Sequence, residues 1–481
     1  MNMSLPLLQL PDSIIFIELS ELIIHRIGAR LMQNKLSFSN YALIGTMLFG
    51  MFFGAGNLIF PIQLGQMAGT NFWPGLIGFL VTAIGLPFMG ILAIGLSRSN
   101  GLQDLASRVH PLFGITFATV LYLTIGPFFA IPRTATVPFV VGFEPFLNDG
   151  QVTLWLGVFS FVFFAIVYYF SLNPAKVMDY IGKYLTPLFL IFLFILIGTA
   201  IVNPMGGFSS PASDYMDMAF MTGFTEGYNT MDALASLAFG IVVINAIKSK
   251  GVTEPKAIAQ ATWKAGVVAM GLMMLIYGLI TYMGASSVAA IGTFDNGGLI
   301  FAEVAQYYFG PFGSVLLAII IVLACLKTSI GLITSCSDYF HSIIPKVSYK
   351  SFVLTLCLVS FIIANFGLTN IIQFAIPVLM FLYPLAIVLI LLGLTSPLFG
   401  NKRSVYTVSM FLTFFVSVID GYKALVASIP GWTVSVLETV RSFYADILPL
   451  YSMGLGWMLP AILGVVIGLL WPKRTVETPY M

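Results

Sequence analysis

Apolar residues run along this chain in blocks of about 20 residues, separated by short polar gaps. Neither the two-residue alternation of a strand nor the one-sided stripe of a soluble helix is present. At ~1.5 Å of rise per residue, such a block reaches across roughly 30 Å of hydrocarbon as a helix. The pattern predicts twelve spans, over 38–64, 72–97, 112–140, 152–171, 182–203, 224–247, 262–285, 310–337, 350–366, 369–393, 404–419 and 449–472.

The charges fix a direction for these spans. If the first begins in the cytoplasm, the inner gaps collect nearly all of the 21 basic residues, among them Arg98, Arg108, Lys176, Lys248, Lys250, Lys346, Lys350, Lys402 and Arg403. The outer gaps hold Lys423 and Arg441 but carry Glu144, Asp149, Asp214, Asp217, Asp420, Glu438 and Asp446. Adding or removing one span scrambles this sorting, so the positive-inside rule supports both the count and two cytoplasmic termini.

Composition agrees. Hydrophobic residues make up 59% of 481 positions and charged ones 8%, against about a quarter in soluble domains. Cys325, Cys336 and Cys357 lack C-x-x-C spacing and sit in or beside apolar helices, which argues against a disulfide or a thiolate metal site. His25, His110 and His341 fall in loops or tails without ligand spacing. Residues 1–31 do not fit a signal peptide, because Arg26 and Arg30 follow the apolar stretch rather than precede it. We read 1–31 as an extension before a transporter domain at 32–472, with an amphipathic surface helix as the alternative. The domain divides into a first repeat at 38–203, an inverted second repeat at 224–393 and two last helices over 404–472; a cytoplasmic tail follows at 473–481.

Two spans are expected to be interrupted. Gly50, Gly54 and Gly56 place three glycines within seven residues at mid-membrane, followed by Asn57 and Pro61. Each glycine costs a helix about 1 kcal/mol relative to alanine, and proline cannot donate to the preceding turn. Irregular backbone at that depth is tolerated only inside protein or along a polar cavity. The other reading is close helix packing through the Gly50/Gly54 spacing. The sixth span crowds small and polar residues from Gly227 to Gly240, and its apolar remainder is too short to cross alone. Spans one and six each open a block of five; an odd block forces the second to enter upside down. That is the layout of an inverted repeat with two discontinuous helices, whose half-helix ends suit a carboxylate and an ammonium or cation.

The stretches MFFGAGNLIFP from Met51, PFFAIPRTATVP from Pro127, and Asn229 to Ala246 together resemble the bacterial branched-chain amino acid:cation symporters, nearly along the whole chain from Lys35. The resemblance implies a leucine-transporter-like fold, uptake of leucine, isoleucine and valine, and normally sodium coupling. More distantly, Gly50 to Asn57 is similar to the first-helix motif of sodium-coupled amino acid transporters, and Ser236 to Gly240 to their sixth-helix break. By that likeness the substrate seat is Phe52, Gly54, Ala55, Gly56, Asn57, Ala233, Ser236, Phe239 and Gly240. Sodium would be held by the carbonyls of Gly50, Phe53 and Cys325 and the hydroxyls of Thr328 and Ser329. Sodium prefers oxygen, and adjacent Thr-Ser supply it; the same hydroxyls can instead bond their own helix.

Arg133, Asp232 and Lys327 are charges deep in apolar segments, and such charges mark a functional interior. Arg133 and Asp232 are expected at similar depth, as an ion pair that either gates the outward vestibule or serves as a structural tie. Lys327, beside Thr328, departs from the neutral residue expected there; it either stands in for a cation and couples transport to protons, or faces away and snorkels toward the cytoplasm. No charged group is left to recognise a substrate side chain, so the pocket should take an apolar one. An intramembrane enzyme lacks paired aspartates, a nucleophile with its base, or metal ligands at depth; a channel is the stronger rival but needs no pair of broken helices. The expected partners are an amino acid, a coupling Na+ (H+ as the alternative) and the bilayer of the bacterial plasma membrane, with no organic cofactor and no nucleic acid. The sequence sets no oligomeric state.

Overall fold

The computed structural model describes residues 36–471, apart from 98, 100, 174, 175, 177, 178, 295 and 430–432. The extension at 1–31 and the tail at 473–481 lie outside the described residues. The described chain is helical, with no β-strand. In chain order the helices are α1 (Phe38–Phe52), α2 (Gly56–Ala68), α3 (Phe72–Leu80), α4 (Leu86–Leu96), α5 (Leu102–Ser107), α6 (Pro111–Leu123), α7 (Ala130–Gly142), α8 (Val152–Ser171), α9 (Thr186–Val202) and α10 (Ser213–Glu226). They continue as α11 (Asp232–Ser249), α12 (Pro255–Ile291), α13 (Gly297–Phe309), α14 (Pro311–Ile343), α15 (Tyr349–Ala364), α16 (Leu368–Thr395), α17 (Arg403–Ser428), α18 (Ser435–Ile447) and α19 (Met458–Leu470). Nine helical stretches among the described residues are long and apolar enough to cross a membrane, and Phe38–Phe52, Tyr349–Ala364 and Met458–Leu470 are shorter apolar helices.

Several boundaries run past the expected spans. The apolar block at 262–285 sits inside Pro255–Ile291, because a helix that satisfies its own backbone continues into water on polar residues such as Lys256 and Gln260. The 33 residues of α14 likewise reach about 50 Å at ~1.5 Å per residue, more than a bilayer core. This helix stands at the centre, packed against α1, α7, α9 and α15, and most of its middle is buried. The half-helix α2 is anchored on α12 by direct backbone contact. A Cβ on Gly65 would lie 2.1 Å from the Thr281 carbonyl oxygen, and one on Gly284 2.0 Å from that of Ile62, so only glycine permits this approach.

The first span breaks where the glycines lie. Ser37 caps its start, accepting from the Asn40 N–H at 3.3 Å, and α1 runs to Phe52. Beyond it the Gly54 N–H donates to Asn57 Oδ1 at 2.9 Å instead of to the Gly50 carbonyl, a side-chain bond that replaces the helical one. Among the described residues, no N–H reaches the carbonyls of Gly50, Met51, Phe52 or Phe53, and the N–H groups of Gly56 and Asn57 meet no protein acceptor. Both halves of the break thus expose main-chain polar groups.

The sixth span breaks earlier than expected. After α10 a single turn of 3₁₀ helix covers Gly227–Thr230, and Met231 takes the left-handed conformation at φ 62° before α11 begins at Asp232. A non-glycine residue pays about 1 kcal/mol or more there. Ser236 to Gly240, expected to be uncoiled, form continuous helix: their small side chains let α11 lie against α4, with Ser236 facing Gly90 and Gly240 facing Ile94. A third interruption lies in span three, where Gly126 leaves helical geometry before Pro127.

Candidate functional site

The two breaks and the Gly126 irregularity meet at one narrow cavity at the heart of the molecule. Its walls are Met51, Phe52, Gly54, Ala55, Gly56 and Asn57 from the first span, Ile125, Ala130, Arg133 and Thr134 from the third, and Thr230, Met231, Asp232, Ala235 and Phe239 from the sixth; Thr328 and Leu332 of α14 close it. About 30 Å³ is open to the centre of a water-sized sphere. A water needs roughly 10–15 Å³ by that measure, so the closed cavity seats about two waters, and a larger solute requires the walls to move.

Of the residues expected to hold substrate, Phe52, Gly54, Ala55, Gly56, Asn57 and Phe239 line this cavity. Ala233, Ser236 and Gly240 do not. The helical period explains the exchange: Asp232, Ala235 and Phe239 share the inward face of α11, while Ser236 and Gly240 turn to α4. The Phe52 and Phe239 rings meet edge on at 5.3 Å between centroids, forming an apolar floor with Met51, Ile125 and Leu332.

Asp232 is buried, and its carboxylate is held by neighbours rather than by a counter-charge. Asn57 Nδ2 donates to Asp232 Oδ2 at 2.5 Å, and the Tyr277 hydroxyl donates to the same oxygen at 3.2 Å. Asn57 Nδ2 also donates to the Tyr277 hydroxyl oxygen. The Thr230 side chain, two residues earlier, also reaches the carboxylate. As the first residue of α11, Asp232 also lies at the positive end of a helix dipole.

Arg133 lines the same cavity and feels the charge of Asp232, yet among the described residues the two make no ion pair within 4.0 Å; the expected pair is absent, and Asn57 and Tyr277 hold the carboxylate instead. Among the described residues the guanidinium donates one hydrogen bond, to the Asn229 carbonyl at 3.3 Å. It lies over the Phe60 ring at 5.9 Å, and its Nη2 would stand 3.2 Å from a Cβ on Gly56.

Of the residues expected to hold a cation, Thr328 lines the cavity, and the others meet different surroundings. Thr328 faces Gly54, and its buried hydroxyl has no hydrogen-bond partner. The Ser329 and Thr134 hydroxyls lie 2.6 Å apart, and Thr134 donates to the Ile131 carbonyl at 2.5 Å, so Ser329 is tied to α7. Cys325 is a buried free thiol, as are Cys336 and Cys357. Gly50 turns to Thr186 of α9, another buried hydroxyl without a partner. Lys327 does not snorkel: it is fully buried, its amine 3.6 Å from the Phe189 ring centroid and 5.5 Å from that of Phe49, with no hydrogen-bond partner among the described residues. No group of three or more His, Cys, Asp or Glu side chains among the described residues is placed to hold a metal ion.

Sequence reasoning missed Tyr277, Thr186 and the Tyr228–Tyr383 pair. These two rings stack at 4.4 Å, and the Tyr383 hydroxyl donates to the Tyr228 carbonyl at 2.6 Å, beside the break of the sixth span. They line a second cavity of about 240 Å³ with Asp420, Lys423 and Trp457. A third, of about 470 Å³, opens at the other end of the molecule between Asp104, Tyr122, Asp338 and Tyr339. The Gly126-Pro127 dipeptide was a readable signal of the third break; an apolar-context tyrosine such as Tyr277 offered none.

Residues 37–475 match the model of the branched-chain amino acid transport protein family. The chain is 46% identical over 437 residues to the branched-chain amino acid permease BrnQ of Bacillus subtilis, covering 91% of this chain and 98% of that one. It is 38% identical to the BrnQ permease of Escherichia coli, covering 92% and 98%. Among solved structures, MhsT in complex with L-phenylalanine superposes with a TM-score of 0.52 at 15% identity, covering 90% of this chain and 98% of that one. The nucleobase-cation symporter Mhp1 in a closed conformation gives 0.53 at 12%, covering 90% and 91%. These structures share the fold, and the sequence relatives are permeases rather than enzymes. With a family match spanning nearly its full length, this chain belongs to the branched-chain amino acid transport proteins.

Proposed function

We propose that the protein imports leucine, isoleucine and valine across the bacterial plasma membrane by cation symport, with Na+ as the coupling ion, through alternating access. On this reading the chain crosses the membrane twelve times, two blocks of five spans are related as an inverted repeat, and both termini face the cytoplasm. The observation that carries it is the narrow cavity at which two interrupted helices meet, lined by both polar and apolar residues. The apolar floor of Phe52, Phe239 and Leu332 suits a branched aliphatic side chain. It discriminates only by about 1–3 kcal/mol per methylene, so the three substrates share one carrier. The names of the sequence relatives support the same substrate class.

For sodium, the uncommitted carbonyls of Gly50 and Phe53 and the unpartnered hydroxyl of Thr328 supply hard oxygen donors, with the Cys325 carbonyl and Ser329 hydroxyl completing the proposed seat. A second reading rests on Lys327, whose amine next to that seat lies over aromatic rings and has no hydrogen-bond partner among the described residues; coupling then uses a proton carried by this amine. Leucine uptake into proteoliposomes with a sodium or a proton gradient imposed separately decides between them. Uptake that needs neither gradient and does not saturate overturns symport in favour of a channel.

A further inference from the structure

We propose that the two buried charges of the cavity read the two ends of the amino acid: Asp232 accepts the α-ammonium group and Arg133 clasps the α-carboxylate. The inference rests on the reading of this cavity as an amino acid seat and adds which atoms recognise which end.

Three observations carry it. Arg133 and Asp232 line one closed cavity without forming an ion pair with each other. Two opposite charges buried so close normally pair, since each otherwise stays desolvated without compensation. Here the partners on both sides are neutral, and each charge keeps capacity unspent. Asp232 receives Asn57 and Tyr277 on Oδ2 and a further side-chain contact from Thr230, all neutral groups, and an ionised carboxylate with about four lone-pair sites still has room for a charged donor. Arg133 spends one bond on the Asn229 carbonyl, and a guanidinium carries five donors in a fork matched to a carboxylate.

The main chain is arranged in the same sense. Arg133 Nη2 approaches Gly56, where α2 begins and the N–H groups of Gly56 and Asn57 have no protein acceptor; donors from side chain and backbone converge on one spot. Asn57 cannot reverse its amide, because its oxygen is held by the Gly54 N–H; it presents donors to Asp232 and keeps that residue an acceptor. A zwitterion brings one charge of each sign and so gives both protein charges a partner at once. Its side chain then falls on the floor of Met51, Phe52, Phe239 and Leu332. An amine or a carboxylate alone leaves one protein charge unmatched.

The test uses the purified full-length protein, calorimetric titration and three probes: leucine, 3-methylbutylamine, which lacks the carboxylate, and 4-methylpentanoate, which lacks the ammonium. The parent protein is expected to bind leucine at least about 100-fold more tightly than either analogue, because a site built for a polar group rejects a ligand lacking it. In Arg133→Gln, leucine is expected to fall to the level of 3-methylbutylamine while that amine is held as before. In Asp232→Asn, leucine falls to the level of 4-methylpentanoate, whose own binding is retained. Arg133→Lys and Asp232→Glu keep the charge signs and are expected to keep part of the preference; they serve if the neutral variants do not fold. The inference is overturned if the parent holds both analogues as tightly as leucine, or if each variant weakens all three probes in equal proportion. Loss of sodium binding in Asp232→Asn, titrated without amino acid, overturns the ammonium assignment. Should the parent fail to bind leucine under any gradient-free condition, the amino acid reading of the cavity falls, and the division of labour with it.

Discussion

Lys327 is the residue whose surroundings and charge disagree most. A buried ammonium without a counter-ion is costly, and two aromatic rings return only ~2 kcal/mol or so. Replacing such a group with an apolar side chain of similar volume is commonly neutral or stabilising. Lys327→Met is therefore expected to unfold in detergent at the parent's temperature or above it. If protons couple through this amine, proton-driven leucine uptake disappears in the variant; if sodium couples, sodium-driven uptake survives. Gly54 makes the opposite case: on the proposed reading a side chain there harms uptake more than stability. A Cβ there meets the Thr328 hydroxyl at 3.0 Å, and the larger Val in Gly54→Val fills the cavity. Leucine uptake should drop at least about ten-fold, equivalent to ~1.4 kcal/mol, while thermal unfolding shifts little.

Between elements, close backbone approach and one tyrosine pair set what moves. In Gly284→Ala the new methyl meets the Ile62 carbonyl, a backbone atom that cannot yield, so we expect a loss of about 1–3 kcal/mol, seen as a lower unfolding temperature together with lost uptake. Tyr383→Phe removes the hydroxyl that donates to the Tyr228 carbonyl and should cost ~1 kcal/mol; hydrogen exchange of the peptide around Tyr228 is expected to quicken roughly five-fold. The break of the first span was legible because Gly50, Gly54, Gly56 and Pro61 each weaken a helix locally. That of the sixth was misplaced. Met231, a residue with no preference for positive φ, carries the left-handed turn, whereas the small residues from Ser236 to Gly240 serve helix packing. Local composition cannot tell a glycine or serine that uncoils from one that lets a neighbour come near. For the same reason the Asn57–Asp232–Tyr277 cluster was invisible, since 220 residues separate Asn57 from Tyr277.

At the scale of the molecule, a nearly filled centre lies between two wider recesses, one under Tyr228 and Tyr383, the other beside Asp338 and Tyr339. The side chain of Asn57 ties this centre together at a single point. Its oxygen holds the open turn of the first span through Gly54, and its nitrogen holds α11 and α12 through Asp232 and Tyr277. Any rocking that parts α2 from α11 must break the bond from this amide to Asp232. On the proposed alternating access, a residue that faces the solute is thereby also a latch, and how firmly it grips would set how often an empty carrier turns over without cargo.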